Sequence, residues 1–130
     1  MDAKSTVALA IAEVPKAMAA GVIDLRSGSL LYVHSQIELP EAMMDLLPAT
    51  VAELFEGDTV STIEHLFKHQ RGITSNEHYF QEILISSPGH WHYFGRLRSS
   101  PKTVLALVAS ANVNLGMFIV KARQITESAA

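Results

Sequence analysis

The chain has no cysteine, which excludes disulfide staples, cysteine-ligated zinc and thiol nucleophiles. Basic charge is scarce: ten Lys and Arg stand against thirteen Asp and Glu, for a net charge of -3 and a pI of about 6.0. A nucleic-acid surface is normally basic, so that partner is not expected. Long hydrophobic runs are missing too, and none approaches the ~20 residues of a membrane helix. Lys4 followed by the apolar stretch 6–12 has a faint likeness to a signal peptide, but Glu13 and Lys16 interrupt it before any cleavage site. Without cysteine or an export signal, the expectation is a cytoplasmic protein with no membrane partner. Reaction motifs are absent as well. No Gly-rich loop ends in Lys-Ser or Lys-Thr, no strand leads into a dinucleotide fingerprint, and neither His-Glu-x-x-His nor Gly-x-Ser-x-Gly occurs. No cofactor and no enzymatic activity are expected.

What the chain has is apolar mass. Hydrophobic residues make up 48% of its 130 residues, mostly Ala, Leu, Ile and Val, and this length suits one domain. The plainest element is the run 103–109, apolar without alternation, which reads as a strand buried on both faces. It needs two covers. A helix over about 112–126, with Leu115, Phe118, Ile119, Ala122 and Ile125 as its stripe, supplies one. Upstream, Ser5 or Thr6 can cap a short helix that Pro15 stops, and 17–25 with 30–33 makes a hairpin around Ser27-Gly28-Ser29. Pro40 suits the start of a helix whose stripe is Met43, Leu46, Leu47, Thr50, Val51, Leu54 and Phe55; Pro48 predicts a kink or break at Leu47, and Gly57 a stop. A further helix over 58–70 shows Val60, Ile63 and Phe67 on one face. Strands follow at 77–86 and 90–97, joined by Ser87-Pro88-Gly89, with 98–102 as the next turn. The order αββααβββα predicts an α+β fold: a central five-stranded, mostly antiparallel sheet with helices on both faces. The first and last helices should cover one face and the region 40–72 the other.

Several residues invite a chemical reading. His65 and His69 are four apart on one helix, a spacing that can hold a metal. They lie opposite the apolar face, no third ligand is in register, and a solvated polar face is the better reading. His90, His92 and Phe94 share one face of a strand, with Trp91 and Tyr93 on the other. That pattern fits a partner-binding surface and fits ordinary strand composition equally well. Arg71, Arg96 and Arg98 sit near loops, where an arginine can be lent to a nucleotide site in trans; solvated turn charges are the simpler account. Glu53, Glu56 and Asp58 straddle a helix boundary and read as solubility and capping groups.

Two segments carry a family resemblance. Ile11-Ala12-Glu13-Val14-Pro15 with Gly21-Val22-Ile23-Asp24-Leu25-Arg26-Ser27-Gly28-Ser29-Leu30, and Val104-Leu105-Ala106-Leu107-Val108 with Ala111-Asn112-Val113-Asn114-Leu115-Gly116, are similar to the opening and the last strand-helix junction of the roadblock/LC7 family, the roadblock-type dynein light chains. The resemblance spans nearly the whole chain, 1–130, as one domain. Two departures stand out: Lys16 follows Pro15 where the family often has glycine, and 58–70 adds a helix. The resemblance implies a roadblock/profilin-like sandwich and a homodimer in which the middle strands, here 77–86, pair into one continuous sheet with the second helices, here 40–56, packed nearby. It also implies a non-catalytic adaptor, with a Ras-like small GTPase or another signalling or motility partner. Expected dimer or partner contacts are Met43, Leu47, Leu54, His78, Phe80, Glu82, Leu84, Trp91 and Tyr93. The alternative is a sensory module that binds a small ligand between sheet and helices, with the extra helix as a lid.

Overall fold

The computed structural model describes residues 1–129. Helix α1 spans Ala3–Glu13. Its cap is Asp2, whose carboxylate accepts the Ser5 amide at 2.8 Å, rather than Ser5 or Thr6. Strands β1 (Ala17–Asp24) and β2 (Ser29–Ser35) form the expected hairpin. Helix α2 covers Glu41–Glu56 and α3 Asp58–Gln70. Then come β3 (Glu82–Ser87), β4 (His90–Leu97), β5 (Ser100–Ser110) and α4 (Leu115–Ser128). Asn114 caps α4 by accepting the Met117 amide at 3.1 Å.

All four strand pairings are antiparallel, in the order β2-β1-β5-β4-β3. The pleat sorts side chains into two cores. Val22, Tyr93, Leu105 and Leu107 face α1 and α4, where they meet Val7, Phe118, Ala122 and Ile125. Ile23, Phe94 and Val104 face the other way and meet Val51 and Phe55 of α2. The strand in the last third lies at the centre of the sheet, covered on both sides as its apolar run requires.

The structure departs from the sequence expectation in four places. Helix α2 stays helical through Pro48, which is buried; only its C-terminal half is seated on the sheet. Gly57 does not end α2 in the left-handed region, since its φ is -60°. It is needed for space, because a Cβ there would stand 2.6 Å from the Glu53 carbonyl oxygen. Helix α3 packs beside α2 and not on the sheet. Its Ile63 and Phe67 are exposed, and the one side chain that it buries is Glu64. Finally, β3 begins at Glu82 instead of residue 77, and β5 begins at Ser100, ahead of the expected 103.

Candidate interaction surface

Strand β3 is an edge of the sheet and pairs with β4 alone. Its outer backbone groups are a template for another strand. Leu84 lies on the α4 face and Ile85 on the α2 face, and both are exposed. On the α2 face the sheet is incompletely covered. Ile83 and His92 are half-buried, and the N-terminal half of α2 leaves an apolar cleft of about 80 Å³ lined by Val33, Met43, Leu47, His92, Phe94 and Val108 among others. Helix α2 turns Met43, Leu46, Leu47 and Leu54 to the surface, Leu46 at 67% exposure. The amphipathic stripe is thus half core, through Val51 and Phe55, and half surface, through Met43, Leu47 and Leu54 among others.

The approach to β3 is held by charge. The Glu64 carboxylate, 6% exposed as a residue, accepts the backbone N–H groups of Tyr79 and of Phe80, the latter at 3.3 Å. The ring of Phe67 stacks on Tyr79 at 5.1 Å, and the Arg71 guanidinium lies 5.8 Å over the same ring. From the other side, Arg96 Nε donates to the Phe80 carbonyl at 2.7 Å. The Arg96 side chain is 1% exposed. It also donates to Glu56 Oε1 at 3.0 Å, to the Pro101 carbonyl at 2.8 Å and to the Phe55 carbonyl at 3.3 Å, 5.0 Å over the Phe55 ring. It is therefore neither a solvated turn charge nor a group free to enter another protein's site. Glu56 is likewise more than a solubility group, because Lys102 Nζ donates to its Oε2 at 2.6 Å. Burial alone would raise the Glu56 carboxyl, and the hydrogen bonds from Lys102 and Arg96 outweigh it and hold it below the usual carboxylate range.

A second network ties β3 to α4. Arg123 grips Glu82 with both of its ends, and Tyr93 Oη donates to Glu82 Oε2 at 2.8 Å. The Arg123 hydrogen bonds lower the Glu82 carboxyl despite its partial burial. Burial, and then Glu82, pushes the Tyr93 phenol well up. Gly95, the register partner of Glu82, leaves room for the Tyr93 ring to lie across it.

The expected contact residues therefore divide. Met43, Leu47, Leu54 and Leu84 are at the surface. His78 and Phe80 are half-buried in the segment before β3, outside any strand. His78 Nε2 lies 3.7 Å from Glu56, and burial followed by Arg96 lowers its pKa. Glu82 is engaged within the chain, and Trp91 packs half-buried against the core under α1 and α4. Tyr93 is a correction: at 2% exposure, with its hydroxyl on Glu82, it belongs to the core. Sequence reasoning left out Ile85, although it named the neighbouring Leu84, and Glu64, for which no local signal existed. His65 and His69 are exposed on α3. His92 Nε2 is 2.7 Å from Ser87 Oγ, its ring stacks on Phe94 at 6.5 Å, and burial with the nearby His90 lowers its pKa. Among the described residues, no group of three His, Asp or Glu side chains is placed to hold a metal, and no helix is long and apolar enough to cross a membrane.

A five-stranded antiparallel sheet with this order, two helices on one face and one on the other, is the fold of the roadblock/LC7 domains. No family model matches the sequence, and no curated protein does; the likeness is to solved structures. It is similar to an MglB with a tetrameric arrangement, at 20% identity over 95% of this chain and 82% of that one, with a TM-score of 0.67. A roadblock/LC7 domain from Streptomyces avermitilis aligns over 97% of this chain and 92% of its own, at 13% identity and a TM-score of 0.66. The gliding protein MglB from Thermus thermophilus gives 19% identity over 95% and 82%, with a TM-score of 0.65.

Proposed function

We propose that this chain is a dimeric roadblock-type adaptor that binds a signalling partner, a Ras-like small GTPase first among the candidates, and does no chemistry of its own. The observation that carries this reading is the β3 edge, with Leu84 and Ile85 outward beside a sheet face that α2 leaves partly bare. Two copies related by a two-fold axis would bury that edge; the exposed Met43, Leu47 and Leu54 of α2, which packs over β1 and β2, are the surface left for the signalling partner. The charged groups support a binding role, since Arg96, Glu56, Glu82 and Arg123 are spent on one another. The likeness to MglB, described as a gliding protein, points towards motility as a setting.

The ligand-sensor reading has less support. A cleft of about 80 Å³ is well below the ~300 Å³ at which small-molecule sites begin, and no residue of α3 is among its lining, so α3 is no lid over it.

Sedimentation velocity across a concentration series tests the dimer. The wild type should be dimeric in the micromolar range. The double variant Leu84→Asp/Ile85→Asp should weaken self-association at least about tenfold with unchanged circular dichroism, because it sets like charges against each other across the joint in any register. A wild type that stays monomeric at high micromolar concentration defeats the dimer. Affinity capture from the native cell tests the partner, and recovery of no small GTPase among specific partners counts against that assignment.

A further inference from the structure

Residues 77–81 have the alternation of a strand, yet β3 begins only at Glu82. The reason is visible at Phe80. Its N–H is taken by the Glu64 carboxylate and its C=O by the Arg96 guanidinium. Tyr79 likewise gives its N–H to Glu64 and its ring to Phe67. Gln81 donates from its side chain to the His78 carbonyl, which folds the segment back on itself. Only at Gln81 does the backbone join the ladder, where its carbonyl accepts the Arg96 amide at 3.0 Å. Tyr79 and Phe80, which could continue the edge, are therefore held off it: α3 supplies the hold on their amides and Arg96 that on the Phe80 carbonyl.

Helix α3 does little else in the fold. It rests beside α2, and its single buried side chain is Glu64. No side chain caps its N-terminus at Gly57, and Gly72, with φ +67° and open space around it, follows its C-terminus. Ile63, Leu66 and Phe67 are exposed along it. A helix that buries one carboxylate, and directs it at two backbone amides, is built to hold that backbone.

We propose that α3 is a removable clamp on the pairing edge: Glu64 withholds Tyr79 and Phe80 from β3, and lifting α3 lets β3 lengthen and pair more tightly with a second copy of this chain. The proposal rests on the reading that β3 is the dimer joint, and deepens it by adding a control.

The test compares the full-length wild type, Glu64→Ala and Phe67→Ala by sedimentation equilibrium, with backbone NMR shifts at Tyr79 and Phe80. Glu64→Ala should tighten self-association by about tenfold, the worth of one or two added ladder bonds at the joint, and should give Tyr79 and Phe80 strand-type shifts. Phe67→Ala should act in the same direction to a smaller extent, and it decides the matter if Glu64→Ala does not fold. A folded variant with unchanged or weaker self-association overturns the clamp and leaves the dimer reading intact. If the wild type is monomeric and Glu64→Ala dimerises, the clamp stands and the wild type is its closed state. If neither associates, both readings fail.

Discussion

Lys16 is the one non-glycine described residue with a positive φ, at +54°. That region costs an L-residue roughly 1 kcal/mol or more, because its Cβ crowds the following carbonyl. The turn between α1 and β1 requires the conformation, since Pro15 ends the helix and the chain must reverse into the sheet. This explains in physical terms why the position resembles a glycine site that lost its glycine. Lys16→Gly should therefore stabilise the fold by up to about 0.5–1 kcal/mol, with the gain trimmed by the greater freedom of glycine in the unfolded chain. Urea unfolding followed by tryptophan fluorescence measures it, and a clear loss of stability would contradict the account. The position was legible as a departure from the family pattern. The sign of φ was not, because it depends on where β1 must begin.

At the scale of elements, Arg96 joins α2, β4, β5 and the approach to β3 through its side-chain hydrogen bonds. Removing it leaves the Glu56 charge to Lys102 and takes a donor from three carbonyls. Arg96→Met should cost about 2–3 kcal/mol, less than the full penalty for breaking a buried pair from one side, because Glu56 is partly exposed and keeps Lys102. Arg96→Lys should recover only part of this, because one ammonium cannot reproduce the planar fork. Chemical denaturation of the two variants checks the order, and full recovery by lysine would refute the fork argument. Sequence reading placed Arg96 on its strand but left it in solvent. Its partners come from segments tens of residues away, and no local pattern encodes them. The same limit explains α3. The spacing of Val60, Ile63 and Phe67 correctly gives a helix, but periodicity cannot say that the buried face belongs to Glu64. Where patterning and packing agreed, as in β1, β5 and α4, the elements were readable almost to their ends.

For the whole molecule, the groups whose ordinary values lie below neutrality lean in one direction. Partial burial holds His78 and His92 below the ordinary value of 6.5. Hydrogen-bonded cations hold Glu56 and Glu82 below 4.5. In both cases the folded state binds its proton less readily than the unfolded chain does. Their stabilisation is full above the unfolded pKa and is lost as pH falls through the folded one. The melting temperature should be level above neutrality, begin to fall below pH 6.5 with the histidines, and fall more steeply below about 4.5 with the carboxylates. Calorimetry from pH 7.5 to 3.5 checks this, and Glu82→Gln should flatten the lower limb; a melting temperature that rises on acidification would reverse the sign. The layer arrangement was the most legible feature at this scale, because one uninterrupted apolar strand demands cover on both sides. The edge strand was legible through the family resemblance, as 77–86, although its true start at Glu82 was not; the half-seated α2 was not legible, since exposure depends on how much of each apolar stripe the sheet has room to receive.

The central pairing of β1 with β5 also has a consequence in time. Ala17 meets Ala109 and Asp24 meets Thr103, so the second and the last-but-one segments of the fold must find each other across roughly eighty residues of chain, a long-range closure that slows folding. At translation rates of about 5–20 residues per second, β1 waits several seconds on the ribosome before its partner exists. During that interval Ala19-Ala20-Gly21-Val22-Ile23 has β2, α1 and α2 for neighbours but is bare on the edge that β5 will take, which makes the start of the chain, rather than its surface helices, the stretch that a chaperone would have to shield.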